Sequence, residues 1–163
     1  MEMAVQVKTG DYSIGQVKTF RGMEGMGFNL NLYRDGKKVC FVFDDACGGP
    51  YSYEWVDWKE KTEEGIFIDL MKSLPARSLG LGNGEPITVD MDGDIFVNEM
   101  FESFMQDKDM KKKCKTKILF ILKDNKEGEY YEIKNAIYDT KTKEFLIKKY
   151  GDDLKEIINE RYI

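Results

Sequence analysis

Alternating hydrophobic and polar residues dominate the first third of the chain. Residues 28–33 and 39–43 each place apolar side chains at every second position, which is typical of half-buried β-strands. Between them lies Arg34-Asp35-Gly36-Lys37, and Asp-Gly between two alternating segments strongly indicates a tight hairpin. The pattern therefore predicts an antiparallel hairpin. Further strands are expected at Tyr12–Phe20 and Tyr51–Trp55, with turn-forming residues at Asp44–Pro50.

Helical spacing of apolar residues follows these strands. One helix is predicted to begin at Thr62, with acidic residues in its first turn, and to end before Pro75. A second is predicted over Asp94–Gln106, after a glycine-containing connection at Arg77–Glu85. Two short helices, separated by Gly151, are expected to close the chain at Thr142–Tyr150 and Asp152–Tyr162.

A second hairpin is predicted between the long helices and the closing ones. Ile118–Leu122 is apolar on both faces, which favours an interior strand, and the loop Asp124–Gly128 leads to a strand at Tyr130–Lys134. Strands and helices in this order indicate an α+β fold. We expect one domain over residues 1–163, with a mainly antiparallel sheet of five or six strands and helices packed against it. Residues 1–11 are expected to form a flexible tail.

The amino-acid composition excludes several classes of catalytic and metal site. The 163 residues include no histidine, so catalytic triads and histidine-ligated zinc, non-haem iron or blue-copper sites are excluded. Carboxylates, lysines and tyrosines remain available for catalysis. The sequence thus favours a binding protein over an enzyme without excluding an enzyme.

Cysteine usage and hydropathy indicate the cellular compartment in which the protein is expected. Cys40, Cys47 and Cys114 form no C-x-x-C pair and are odd in number, so reduced thiols in a reducing environment are expected. No signal-peptide pattern is present at the start, and the longest apolar run, Ile118–Leu122, is too short for a membrane span. We therefore expect a cytoplasmic protein with no membrane partner.

Charge is distributed unevenly. Residues 1–107 carry 10 basic and 19 acidic side chains, net −9, whereas residues 108–163 carry 15 and 11, net +4. The basic part contains a lysine cluster that fits a nucleic-acid surface. It also fits solvated lysines that protect an apolar strand from aggregation, since no arginine or aromatic residue is interleaved. The nucleic-acid candidates are Lys111, Lys112, Lys113 and Lys115.

Two separate segments are candidates for binding. Gly22, Gly25 and Gly27, next to Arg21, could form a loop whose amides hold a phosphate, although glycines at such positions also serve bulges and wide turns. The segment Asp44–Tyr53 joins two carboxylates to a Gly-Gly-Pro turn and to aromatic residues. Aromatics of this kind suit a partner interface as well as a core strand.

Three carboxylates on alternate residues, Asp90, Asp92 and Asp94, form the candidate metal site. Oxygen ligands suit Mg²⁺ or Ca²⁺, and Asp44 or Asp45 could complete such a site. The spacing fails as an EF-hand, because Phe101 stands where the bidentate glutamate belongs. The structural alternative is that Asp92 or Asp94 caps the second helix. No cofactor is otherwise expected.

Several short motifs resemble a group of small uncharacterised proteins from phages and other mobile elements. The similar stretches are Lys18–Gly25, Gly27-Phe28, Leu32-Tyr33, Asp35–Lys38, Asp44–Ala46, Gly48-Gly49 and Lys148–Gly151. The resemblance implies a genomic setting and, for a phage-encoded protein, the host cytoplasm. It implies no activity and no catalytic residue.

The sequence thus leads to two functional hypotheses. The first is a non-enzymatic binding protein, an inhibitor of a host defence or nucleic-acid-processing protein, whose acidic part could imitate nucleic acid. The alternative is a domain that binds or sequesters a nucleotide or another small phosphorylated ligand, or hydrolyses it with a metal. The candidate binding residues are Arg21, Gly22, Glu24, Gly25, Asp44, Asp45, Tyr51 and Tyr53. The sequence assigns neither a catalytic residue nor an oligomeric state.

Overall fold

The computed structural model describes residues 7–163, which group into two compact units divided after Glu102. Each unit is described by itself. Residues 1–6 of the predicted tail lie outside the described residues, and Thr9–Asp11 form a short 3₁₀ helix. Nine antiparallel strands and three α-helices make up the described chain, so the predicted α+β class is confirmed.

The first unit contains a four-stranded antiparallel sheet. Its strands, in spatial as well as chain order, are β1 (Tyr12–Gly22), β2 (Gly25–Arg34), β3 (Lys37–Asp44) and β4 (Ser52–Trp55). Asp35 and Gly36 both take positive φ, 51° and 79°, which is the geometry of the tight hairpin turn that matches strand twist. The predicted hairpin is confirmed. Its alternating apolar residues supply fully buried core side chains, among them Leu30, Leu32 and Val42.

Two helical segments accompany this sheet in the first unit. α1 (Thr62–Ser73) agrees with the predicted helix and buries Phe67, Leu70 and Met71. α2 (Gly93–Lys113) crosses the division between the units and, in its first turns, buries Phe96, Val97 and Phe101. Phe101 stacks on Phe28 with ring centroids 4.6 Å apart, so α2 packs on the same core as β2.

α2 is longer than predicted. It continues past Gln106 to Lys113, because residues 107–113 contain neither glycine nor proline and place three lysines in the last turn. Positive side chains there interact favourably with the negative end of the helix dipole. No helix within residues 7–163 is long and apolar enough to span a membrane.

The prediction of a glycine-containing connection at Arg77–Glu85 is wrong. These residues contribute to a separate two-stranded hairpin of β5 (Arg77–Gly82) and β6 (Glu85–Val89). Asn83 and Gly84 form its turn with φ of 51° and 81°, the same turn geometry as at Asp35-Gly36. Asn-Gly is a preferred dipeptide for this turn, so the signal was present in the sequence.

The second unit contains a three-stranded sheet and one helix. β7 (Lys117–Leu122) lies in the centre, as predicted, between β8 (Tyr131–Lys134) and β9 (Leu154–Ile157). α3 (Thr140–Tyr150) places Leu146 against Ile118, Phe120 and Ile157. These residues form the core of this unit.

The prediction of a helix at Asp152–Tyr162 is wrong. Leu154, Ile157 and Ile158 follow helical spacing, but Leu154–Ile157 pairs with β7, and 3₁₀ turns stand on either side. The buried Asn159 then accepts a hydrogen bond from the Leu119 amide at 2.8 Å and donates to the Lys117 carbonyl at 2.9 Å. Tertiary pairing with β7 thus overrides the local helical pattern.

The predicted sheet of five or six strands is also wrong. The strands of the described residues form three sheets, of four, two and three strands. Within residues 7–163, β5 and β6 pair only with each other, and the two predicted hairpins belong to different sheets. The six strands expected in one sheet are thus divided between two, β1–β4 in one and β7 with β8 in the other. The two segments that were not assigned as strands, the Asn83-Gly84 hairpin and β9, add three more strands.

Stability at alkaline pH tests the packing around Cys40. This residue is fully buried, and burial raises the pKa of its thiol to about 12 from an ordinary value of 9.0. The folded state therefore keeps a proton that the unfolded chain loses above about pH 9. Its contribution to stability is present below that pH and is lost as pH rises toward 12.

We expect the free energy of unfolding in urea to fall between about pH 8 and pH 10.5. Cys40→Ala should be less stable at the lower pH, because it leaves a cavity, but should lose less stability across this interval. Exposed Cys47→Ala is the matched control and should keep the wild-type slope. Equal slopes for all three proteins would contradict the buried, protonated thiol.

Candidate functional site

The turn between β1 and β2 projects apolar side chains into solvent. Gly22 pairs with Gly25, which leaves Met23 and Glu24 as the turn, and Gly25 has a φ of 112° that favours glycine. Met23 is 91% exposed, Met26 57% and Phe20 41%. Met26 pairs with Arg21 and Phe20 with Gly27, so Met26 and Phe20 lie on opposite faces of the hairpin, with Met23 at the turn between the two strands.

The segment between β3 and β4 lies against this turn. The Glu24 amide donates to the Ala46 carbonyl at 2.7 Å, and a Cβ at Gly22 would stand only 2.4 Å from the Ala46 Cβ. A Cβ at Gly48 would likewise meet the Glu24 side chain at 3.5 Å. The two segments predicted separately therefore form one surface. We call residues 20–26 with residues 44–50 the tip surface.

Aspartates shape the second part of the tip surface. Asp44 Oδ1 accepts from the Ala46 amide at 2.9 Å, and Asp45 Oδ1 accepts from the Cys47 amide at 3.0 Å. Such bonds are typical of turns in which an aspartate side chain replaces a backbone acceptor. Both carboxylates remain at or near the surface, so they hold the loop and also give it negative charge.

The glycine-rich segment does not adopt the conformation of a phosphate-binding loop. Gly22 and Gly25 belong to a strand hairpin rather than to a loop that precedes a helix, and the Glu24 amide already bonds to Ala46. The Arg21 side chain is exposed on β1. Phosphate binding through these residues stays a prediction, and the hydrogen bonds of this hairpin do not support it.

A carboxylate–tyrosine network lies where this loop enters β4. Asp94, in the first turn of α2, accepts from the Tyr51 amide at 3.0 Å and from the Tyr53 hydroxyl at 2.6 Å. The Tyr51 hydroxyl donates to Asn98 Oδ1 at 3.1 Å. We call these four residues the Asp94 network. It fixes the end of the loop to α2 through both backbone and side chains.

The network also sets the protonation of its tyrosines. Burial, followed by the hydrogen bond to Asp94, raises the pKa of Tyr53 well above its usual value. Burial raises the pKa of Tyr51 to about 12. Both hydroxyls therefore remain hydrogen-bond donors at neutral pH, and neither is tuned to exchange a proton there.

The three aspartates of the candidate metal site have separate roles. Asp92 Oδ1 accepts from the Ile95 amide at 2.9 Å and thereby caps α2, Asp94 belongs to the network, and Asp90 is exposed. Within residues 7–163, no three Cys, Asp or Glu side chains are grouped to hold a metal ion. Binding of Mg²⁺ or Ca²⁺ stays a prediction, and the capping interpretation accounts for Asp92.

An aromatic cavity of about 600 Å³ lies next to the network. Tyr53 and Trp55 line it with nearly parallel rings, 9° apart in plane and 6.2 Å between centroids, and Phe67 lies 5.5 Å from Trp55. Carboxylates of Glu64, Asp92 and Asp94 also line it, with Lys72 as its one basic side chain among the described residues.

The lysine cluster lies at the end of α2 and in the turn that follows. Lys111, Lys112 and Lys115 are exposed, whereas Lys113 donates to the Tyr130 hydroxyl at 3.1 Å and pairs with Asp109 at 3.3 Å. Lys113 is therefore engaged within the second unit. The other three lysines are open to solvent, and nucleic-acid binding through them stays a prediction.

Sequence reasoning missed several residues of these sites. Met23, Met26, Asn98 and Phe67 were not among the candidate residues. Tyr51, Tyr53 and Asp94 were singled out, but for separate roles.

Comparison with protein-family models, curated proteins and solved structures found no match.

Tyr53→Phe tests the network. It removes the hydroxyl that donates to Asp94, and we expect a loss of about 2 kcal/mol in the free energy of unfolding, because hydrogen bonds to charged groups contribute roughly 1.5–3 kcal/mol. Tyr33→Phe is the matched control, since its hydroxyl accepts a long hydrogen bond of 3.4 Å from the Asn31 side-chain amide and no other from the part of the chain that the structure describes. Chemical denaturation of both variants gives the comparison. Equal losses for the two would contradict a stabilising role for the Asp94 network.

Proposed function

We propose that this protein is a non-enzymatic binding protein that inhibits a host protein by docking its tip surface on it. The observation that carries the proposal is the exposure of Met23 and Met26 at a turn that the Glu24–Ala46 backbone bond joins to the loop carrying the carboxylates of Asp44 and Asp45. An apolar centre with a charged rim is the usual composition of a protein interface.

The side chains of the tip suit a partner surface. Methionine is flexible and polarizable, so Met23 and Met26 can adapt to an irregular apolar pocket. The surrounding carboxylates favour a partner with basic residues around that pocket and would accelerate association at low ionic strength. The tip surface therefore fits a basic partner with an apolar depression.

Preorganisation supports the same proposal. The Glu24–Ala46 backbone bond joins the two parts of the tip surface, and Asp94 holds the loop at Tyr51. A surface that is already ordered loses less conformational entropy on binding, so more of its contact energy appears as affinity.

The class of partner follows from charge and from the resemblance to phage and mobile-element proteins. Residues 1–107 carry a net charge of −9, which makes their field resemble that of a nucleic acid. A host protein that processes nucleic acid, including a defence protein that acts on it, has a basic surface for its own substrate. We propose that this protein occupies such a surface, in the host cytoplasm.

Paired substitutions test the tip surface. Met23→Ser with Met26→Ser removes apolar contact area, and we expect the dissociation constant for the captured host protein to rise about ten- to hundred-fold, as for interface positions that contribute 1.4–3 kcal/mol. The partner is captured from host lysate on the wild-type chain, purified and titrated by calorimetry. Ile137→Ser, equally exposed but in the second unit, is the matched control.

Asp44→Asn with Asp45→Asn tests the charge separately. Asparagine retains the Oδ1 acceptors that shape the loop, so this variant should fold normally while the association rate falls and loses much of its salt dependence. Unchanged affinity and rate in both paired variants, or equal weakening by Ile137→Ser, would contradict docking through the tip surface.

A further inference from the structure

The aromatic cavity is built differently from the tip surface. Its walls are the rings of Tyr53, Trp55 and Phe67 together with Met71 and Met91, of which Phe67, Met71 and Met91 are buried. Its volume of about 600 Å³ lies within the range of small-molecule sites, roughly 300–1,000 Å³. It is larger than a single amino-acid side chain of a docked protein would fill.

Charge at the cavity favours one kind of ligand. Among residues 7–163, three carboxylates, those of Glu64, Asp92 and Asp94, line it together with one lysine, Lys72. Asp94 and Asp92 each accept hydrogen bonds, but a carboxylate has about four acceptor positions, so both retain some for a ligand. The faces of aromatic rings also attract positive charge through their quadrupole.

The neighbouring groove provides a contrast. It shares Tyr53, Trp55 and Glu64 with the cavity but adds Lys38 and Lys61, which offset its acidic groups. The excess of negative charge is therefore a property of the cavity that Asp92 and Asp94 line.

We propose that the aromatic cavity binds a small organic cation, an amine whose apolar body contacts the aromatic wall and whose ammonium group faces the carboxylates. The ammonium would lie near Asp92 and Glu64, where it gains charge-assisted hydrogen bonds, and the body would cover Trp55 and Met71. The cavity shares no lining residue with the tip surface, so this proposal does not rest on the function proposed for that surface.

Three probes with the same aromatic body test the proposal. They are 2-phenylethylammonium, 2-phenylethanol and phenylacetate, titrated at low salt into the full chain carrying Trp58→Phe. The chain has two tryptophans, so this variant leaves Trp55 as the sole fluorescence reporter. We expect the ammonium to bind at least about ten-fold more tightly than the alcohol, with phenylacetate the weakest.

Charge-removing variants assign the selectivity to named residues. Glu64→Gln with Asp92→Asn, which retains the oxygen that caps α2, should reduce the ten-fold preference for the ammonium to about two-fold or less while leaving binding of the alcohol unchanged. Asp69→Asn, exposed on α1 and outside the cavity, should keep the full preference. Equal affinity for ammonium and alcohol, tightest binding of phenylacetate, or no response of Trp55 to any probe would overturn the proposal.

Discussion

The carboxylate of Asp94 holds the chain segment between β3 and β4 against the first turn of α2. One oxygen accepts from the Tyr51 amide and the other from the Tyr53 hydroxyl, so a single side chain fixes both the end of the loop and the start of β4. A negative charge in the first turn of a helix is also favoured by the helix dipole. The position of the tip surface depends on the loop that this carboxylate anchors, and the aromatic wall of the cavity begins at Tyr53.

The exposed apolar residues of the tip surface differ from the residues that form the aromatic core of the first unit. Phe28, Phe67 and Phe96 fill its aromatic core, whereas Met23 and Met26 at the β1–β2 turn are exposed. Carboxylates that shape the loop simultaneously charge its surface, as Asp44 and Asp45 do. Asp44 and Asp45 thus combine a structural role with the recognition role that we propose for them.

Local signals predicted the elements whose stability is local. The Asp35-Gly36 hairpin, α1 and the interior strand β7 were all readable from turn chemistry, apolar spacing and proline. The Asn83-Gly84 turn carried an equally local signal, which was overlooked because three glycines suggested a loop. β9 could not be read in this way, because Leu154, Ile157 and Ile158 fit a helix until pairing with β7 is known. The Asp94 network joins residues more than forty positions apart, and no local pattern specifies such a contact.

Amide hydrogen exchange at Tyr51, compared between the wild-type chain and Asp94→Ala, tests the anchoring role of Asp94 most directly. The Tyr51 amide belongs to the loop rather than to a strand, and its acceptor is Asp94. We expect it to be protected in the wild-type protein and to exchange far faster in Asp94→Ala, while amides in the centre of β2 and β3 remain protected. A Tyr51 amide that exchanges at the rate of an unprotected loop in the wild-type protein, or that is unchanged in Asp94→Ala, would contradict the account.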